Sequence, residues 1–286
     1  MTTAVSRPGA PRPVTPLTIL ASRLDRLARQ AGQVPGLDPA WQAELRDACE
    51  LARGLDPYLS RWTTPESDAL RRLARRTEAQ DWTRHPGAGR PAPLEQEMLS
   101  GHVEGQALKM LVHATRARRV LEIGMFTGYA TLAMAEALPP DGHLISCEID
   151  GAVAELARDC FADSAAGGKI EVRVGPAQDT LAALAAASCV FDLVFIDADK
   201  AGYGGYLTTL LDAGLVAPHG LICVDNTLMQ GQPWLAGEPS ANGAAVAAFN
   251  AQVAADPRVE QVILPLRDGL TLIRQVQVPR ADGAAR

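Results

Sequence analysis

No stretch of this 286-residue chain is apolar for the length that a membrane-spanning helix needs, and its N-terminus lacks the apolar core of a signal peptide. A basic surplus is missing too. The net charge is -6 and the pI about 5.4, which argues against nucleic acid as a main partner, since phosphate binding wants a basic face. Cysteine is sparse, odd in number and scattered: Cys49, Cys147, Cys160, Cys189 and Cys223 form no C-x-x-C. That disfavours a zinc centre or a disulfide framework and predicts reduced thiols in a cytoplasmic protein. There is no internal repeat. What is present is 47% hydrophobic sequence, enough for one substantial core and a smaller appended segment.

Proline at positions 8, 11, 13 and 16 predicts a disordered tail over 1–16. Apolar residues at helical spacing follow over 17–31, stopped by Gly32, and a second helix is expected over 39–53, stopped by Gly54. Thr63 as cap, Pro65 in the first turn and Glu66 as the reciprocal partner predict a third helix reaching about residue 82. A loop carrying Pro86, Gly87, Gly89, Pro91 and Pro93 comes next, then a long helix over 94–117. From there strand and helix alternate. Strands are expected at 119–123, 144–149, 170–174, 193–196 and 221–224, with alanine-rich helices at 131–138, 152–162, 179–187 and 206–215 between them. A helix over 243–255 precedes two runs, 259–266 and 270–276, joined by Arg267-Asp268-Gly269, a hairpin signal. The expected fold is α/β: a mostly parallel seven-stranded sheet with a terminal antiparallel hairpin, Rossmann-like in the manner of class I methyltransferases.

Two acidic clusters stand where apolar strands run out, Asp197-Ala198-Asp199-Lys200 and Asp225-Asn226. The carboxyl ends of parallel strands are where open α/β sheets bind ligands. Oxygen donors from Asp197, Asp225 and Asn226 suit a hard cation, Mg²⁺ before Mn²⁺ or Ca²⁺, rather than zinc. A second feature is the turn Glu122-Ile123-Gly124-Met125-Phe126-Thr127-Gly128. Its glycine spacing is not the dinucleotide fingerprint, and Phe126 fills the place where a middle glycine would admit pyrophosphate. Glu122 disfavours a diphosphate but suits a cationic amino-acid ligand. Glu148, one βα unit later, is placed to accept ribose hydroxyls. Alone the glycines are equally a tight turn; with Glu148 they point to S-adenosylmethionine (SAM).

These residues resemble the cation-dependent O-methyltransferases typified by the caffeoyl-CoA and catechol enzymes. The matching stretches are Glu104-Gly105-Gln106, 121–129, Gly175-Pro176-Ala177, Phe195 to Lys200 and Asp225 to Leu228, in family order and spacing. The resemblance implies a metal held by Asp197, Asp225 and Asn226. It also implies SAM contacts from Ser100, Glu122, Gly124, Met125, Gly128, Ala130, Glu148, Ile149, Ala177 and Asp199, and an acceptor contact from Gln230. Ala130 stands where plant members carry serine, Glu148 where they carry aspartate, and Gln230 where they carry asparagine, so the acceptor need not be a phenylpropanoid thioester. Segments 51–58, 63–67, 241–243, 255–262 and 267–274 look like the O-methyltransferases of mycosporine gene clusters, whose acceptor is demethyl-4-deoxygadusol, a cyclohexenone with adjacent enolic hydroxyls. The resemblance divides the chain into a helical cap over 17–93, covering the acceptor pocket and contributing to a homodimer, and a SAM-dependent domain over 94–286.

The expected chemistry follows. A vicinal enediol or catechol chelates a cation, becomes more acidic and attacks the SAM methyl. Lys200, desolvated beside Asp197, is expected to have a lowered pKa and to take the proton. Runner-up functions are a catechol, flavonoid or caffeoyl-type acceptor, a nicotinamide-dependent oxidoreductase sharing the sheet, and a non-catalytic SAM-binding module. His102 reads as a structural histidine, His219 as an exposed turn residue, and Tyr203 and Tyr206 equally as pocket or core.

Overall fold

The computed structural model describes residues 12–82 and 94–276. Three helices come first: α1 (Pro16–Ala31), α2 (Pro39–Trp62) and α3 (Asp68–Glu78). A 3₁₀ turn, Gln96–Met98, precedes α4 (His102–Thr115). The alternating part runs β1 (Arg119–Ile123), α5 (Tyr129–Ala137), β2 (His143–Glu148), α6 (Gly151–Ala162), β3 (Ile170–Val174), α7 (Ala177–Ala186), β4 (Phe191–Ile196), α8 (Tyr203–Asp212), β5 (Val216–Val224), α9 (Ala241–Ala255), β6 (Val259–Leu264) and β7 (Leu270–Gln275). The seven strands form one sheet in the order β3-β2-β1-β4-β5-β7-β6. β1 to β5 are parallel, while β7 inserts antiparallel between β5 and β6. The expected Rossmann-like methyltransferase sheet with its antiparallel hairpin is present. No helix among the described residues is long and apolar enough to cross a membrane.

The central strands β1, β2 and β4 are buried on both sheet faces, as parallel strands covered by helices must be. Leu121, Ile123, Val194, Ile196, Ile222 and Val224 pack under α7, α8 and α9, while Val120, Leu144, Leu193, Phe195 and Cys223 pack under α4, α5 and α6. The strand order reverses between β1 and β4, which opens a crevice at their carboxyl ends. Gly124 closes the floor of that crevice. Its φ is 93°, and a Cβ there would lie 2.3 Å from the Asp197 carbonyl oxygen. Only glycine lets the end of β1 lie so close to the end of β4.

Several boundaries differ from the sequence expectation. α2 does not stop at Gly54 but runs through it and Pro57 to Trp62. One interior glycine costs about 1 kcal/mol, and the C-terminal turns are docked: His102 joins the Ser60 hydroxyl at 3.3 Å to the Thr64 carbonyl at 2.7 Å. His102 is therefore structural. Thr63 ends α2 instead of capping α3; Ser67 caps α3 through the Leu70 N–H at 3.1 Å, and Glu66 accepts the Tyr129 hydroxyl at 2.5 Å. The long helix expected over 94–117 is broken at Leu99–Gly101, where Gly101 has φ 77° and a Cβ would meet Arg267 Nη1 at 2.8 Å. β2 ends at Glu148, leaving Ile149 exposed, and His219 lies exposed within β5 rather than in a turn. Of the expected tail only residues 12–16 are described, with Thr15 capping α1; the Pro86–Pro93 loop lies outside the described residues.

Gly124→Ala is expected to lower the denaturant stability of the ligand-free protein by about 1–3 kcal/mol from backbone strain alone. An unchanged unfolding midpoint would show that the turn relaxes without cost.

Candidate active site

The site follows from strand register. Ile196 of β4 pairs with Val224 of β5, so the next residues, Asp197 and Asp225, leave neighbouring parallel strands side by side. The ladder continues past both ends: Asp197 N–H donates to the Ile123 carbonyl at 2.9 Å, and Asp225 N–H to the Ile196 carbonyl at 3.0 Å. Adjacent strands lie roughly 4.8 Å apart, so two carboxylates share one low-dielectric place. Burial, with Asp225 adding to it and Lys200 opposing it, pushes the Asp197 carboxyl up to about 6.

Lys200 departs from expectation. Its ammonium donates to Asp197 Oδ1 at 3.0 Å and to the Tyr203 hydroxyl at 2.6 Å, and Tyr203 in turn donates to the Asp225 carbonyl at 3.0 Å. Burial works against the charged lysine, but Tyr203, Asp197 and Asp225 outweigh it and push its pKa above that of an ordinary lysine. The expected lowering is overturned: the Tyr203 hydroxyl and the Asp197 carboxylate hold the ammonium, and with the nearby Asp225 charge they outweigh its desolvation. Tyr203 itself is fully buried in the core beneath α8, with its ring edge-on to Phe249 at 5.5 Å, so it props the site from below.

Asn226 follows with φ 58°; its Nδ2 donates to Asp225 Oδ2 at 2.9 Å and its backbone N–H to Oδ1 at 2.7 Å. With Nδ2 committed, the amide oxygen is what Asn226 presents. Met229 and Gln230 are also left-handed, at φ 39° and 58°. Three non-glycine residues in that region within one short loop signal strain held by surrounding contacts. The holding element is the β6–β7 turn: Asp268 Oδ1 accepts the Gln230 N–H at 2.6 Å, and the Asp268 and Gly269 carbonyls accept from Leu228 at 2.8 Å and Thr227 at 3.1 Å. Burial and Asp225 push Asp268 up to about 7, against the Gln230 N–H.

One narrow pocket is lined by Ser100, Glu122, Gly124, Met125, Ala130 and Asp197, along with Met98, Leu99, Phe126, Tyr129 and Phe195. It thus brings together five of the residues expected at the cofactor and one expected at the cation. Glu122 is fully buried; its Oε2 accepts from the Thr131 and Ser146 hydroxyls, whereas Oε1 has no hydrogen-bond partner. Burial pushes it up to about 8 despite those two donors. A buried carboxylate oxygen without a donor fits a cationic ligand group such as an ammonium. Gly128 has φ 86° and packs on Phe161, where a Cβ would fall 2.3 Å from the ring, so it shapes the turn. Glu148 is fixed by the Phe126 N–H at 2.8 Å and the Asp150 N–H at 2.9 Å. Glu148, Ile149, Ala177 and Asp199 stand outside this pocket, along the ends of β2, β3 and β4. Asp199 is exposed and accepts the Tyr206 hydroxyl at 2.6 Å.

Among the described residues no three His, Cys, Asp or Glu side chains converge as a metal centre. The candidate cation set is smaller, two carboxylates and an amide, all oxygen, and it fits a hard cation. Three residues at the site carry no role in the sequence reading: Glu104, Arg267 and Asp268. Glu104 is 1% exposed beside Asp225 and Asp197, with Arg267 Nε 3.4 Å from its Oε2. The available signal was an acidic residue on the buried stripe of a helix, with Leu108 and Val112 at i+4 and i+8. Arg267 and Asp268 were read only as a turn.

A family model described as O-methyltransferase matches residues 88–276. Caffeoyl-CoA O-methyltransferase 2 of Zea mays is 41% identical over 189 residues, spanning 63% of this chain and 71% of that protein. The SAH-bound methyltransferase PaMTH1 of Podospora anserina superposes with a TM-score of 0.67 at 28% identity, covering 79% of this chain and 96% of that one. The O-methyltransferase TomG of Streptomyces achromogenes, involved in tomaymycin synthesis and solved with SAM, gives 0.63 at 29% identity over 78% and 96%.

Glu122 generates a pH prediction. Its ordinary value is 4.5 and its folded value about 8, so between them the folded chain keeps a proton that the unfolded chain has lost. Its stabilising contribution is complete below 4.5 and is lost as pH rises through about 8. The melting temperature of the ligand-free protein should therefore fall relative to Glu122→Gln across that window. A constant difference would contradict the assignment.

Proposed function

The chain belongs to the O-methyltransferase family and is a SAM-dependent enzyme of it; from that premise we propose that it methylates one hydroxyl of a small vicinal enediol with the help of a divalent cation. That membership overturns the oxidoreductase reading. The observation that carries the proposal is one pocket lined by both Glu122 and Asp197. One wall suits the ammonium of an amino-acid cofactor, and the other leads directly to the oxygen set of Asp197, Asp225 and Asn226.

Bound SAM supplies an electrophilic methyl group, and a bound divalent cation makes a chelating hydroxyl more acidic. The residues divide the remaining work. Glu122 Oε1 takes the ammonium, Glu148 the ribose hydroxyls, and Ser100, Gly124, Met125, Gly128, Ala130, Ile149, Ala177 and Asp199 the rest of the cofactor. Asp197, Asp225 and Asn226 hold the cation, Mg²⁺ before Mn²⁺ or Ca²⁺, and Gln230 faces the acceptor. Lys200 is the proton acceptor on one condition. Its proton is held by Asp197, Asp225 and Tyr203, so it is released only when those carboxylates are engaged elsewhere. Restraining the acceptor oxygen in line with the methyl group supplies the remaining rate enhancement.

For the acceptor we propose demethyl-4-deoxygadusol, giving 4-deoxygadusol. It is a bidentate enediol, and the mycosporine-like segments of the sequence support it. A caffeoyl-type acceptor is the second reading, favoured by the name and 41% identity of the maize relative. The helical segment over 17–93 is proposed to cover the acceptor pocket and to mediate a homodimer in which α2 takes part. The support is an exposed apolar stripe on α2, with Leu51 81%, Tyr58 62% and Trp62 68% exposed.

Two tests follow. With SAM and Mg²⁺, mass spectrometry should show faster methylation of demethyl-4-deoxygadusol than of caffeoyl-CoA or a simple catechol; preference for caffeoyl-CoA would reverse the acceptor assignment. Lys200→Met should lower kcat by roughly 10²–10⁴-fold and remove a limb of its pH profile. An unchanged pH–rate profile would remove Lys200 as the base.

A further inference from the structure

Covering the acceptor does not account for α3, which leans on the cofactor side of the site. From just before α3 to just past its end, three side chains meet three residues of one turn, between β1 and α5. Glu66 Oε1 accepts the Tyr129 hydroxyl at 2.5 Å. The Thr77 and Thr127 hydroxyls, both buried, meet at 2.8 Å. The Trp82 ring lies against Phe126 with centroids 4.9 Å apart, and its indole N–H donates to the Thr77 carbonyl at 3.1 Å. α3 is itself fastened to α6: Arg72 donates to the Asp163 carbonyl at 3.2 Å, and Arg76 pairs with Asp159 at 3.4 Å.

These contacts bear most on Phe126. Its φ is 51°, a left-handed conformation that is costly for a non-glycine residue and persists only where its surroundings over-determine it. Its side chain lines the pocket that Glu122 also lines, and its backbone N–H donates to Glu148 Oε2 at 2.8 Å. Relaxation toward negative φ would re-aim the turn and undo that hydrogen bond.

We propose that α3 is a brace for the cofactor turn: Trp82 and Thr77 hold Phe126 and Thr127 so that Glu148 stays aimed at the ribose hydroxyls of SAM. The proposal rests on the SAM-dependent reading and on the ribose role given to Glu148 there. Trp82 and Thr77 do not line the pocket, so they are positioning residues that act through the turn. α3 precedes residues 88–276, so this support comes from outside the segment that the family model matches. The N-terminal helices thus divide by task, α3 serving the cofactor.

Isothermal titration of the full chain with SAM tests it, with circular dichroism confirming that each variant is folded. Trp82→Leu should weaken SAM binding on the order of tenfold. Trp82→Phe keeps a ring against Phe126 and should stay within about twofold of the native chain. In a Glu148→Ala background, Trp82→Leu should cost less than about twofold more, because the group it positions is already gone. Equal SAM affinity for Trp82→Leu and the native chain would overturn the proposal. So would an equally large loss with and without Glu148, which would mark a general loosening of the turn. Thr77→Val keeps the side-chain shape, removes the hydroxyl and carries the same cycle through the second contact if Trp82→Leu does not fold. Glu148→Ala alone separates the two levels. If it binds SAM as tightly as the native chain, or if the native chain binds none, the reading beneath the brace fails and the brace with it.

Discussion

Two carboxylates forced together by strand register are the constraint on which the site depends. β4 and β5 are adjacent and in phase, so Asp197 and Asp225 emerge from neighbouring strand ends with no freedom to separate. Like charges in a poorly solvated place are costly unless matched. The surrounding residues are arranged as that match: Lys200 on Asp197, Tyr203 between Lys200 and the Asp225 backbone, and Asn226 folded back onto Asp225. Arg267 extends the pattern to Glu104. The same constraint explains why Lys200 is held as an ammonium, and it is the basis for proposing an oxygen-liking cation there.

The second dependency is on close backbone approach. Gly124 allows β1 to end against the Asp197 carbonyl, so Glu122, Gly124 and Asp197 line one pocket. The Asn226–Gln230 loop is held in left-handed geometry by the β6–β7 turn, through Asp268 and the carbonyl of Gly269. A Cβ at Gly269 would fall 2.7 Å from the Leu228 nitrogen, so the turn and the loop are fitted to each other. The antiparallel hairpin appended to the sheet is thus a support for the Asn226–Gln230 loop, and the pairing of β7 with β5 brings the support beside that loop.

Much of this was legible in the sequence, for a physical reason. Buried parallel strands are short apolar runs, and the residues just after them are polar because they line the crevice; that pattern exposed Asp197, Asp225 and the β1 turn. Long-range charge was not legible. Lys200 was read from its own burial, whereas its protonation is decided by Asp197, Asp225 and Tyr203, brought together by the fold. Glu104 and Arg267 are far apart in sequence and meet only because the chain breaks at Gly101. Helix ends failed where tertiary docking overrode local signals, as at Gly54 and Thr63.

The central claim is that a divalent cation bound at paired strand ends activates the acceptor hydroxyl. The most direct measurement is methyl transfer from SAM to a vicinal dihydroxy acceptor after exhaustive chelation, then after stepwise return of Mg²⁺. The account predicts that transfer is abolished by chelation and restored in proportion to site occupancy, with SAM binding retained throughout. Transfer at an undiminished rate in the chelated enzyme would contradict it.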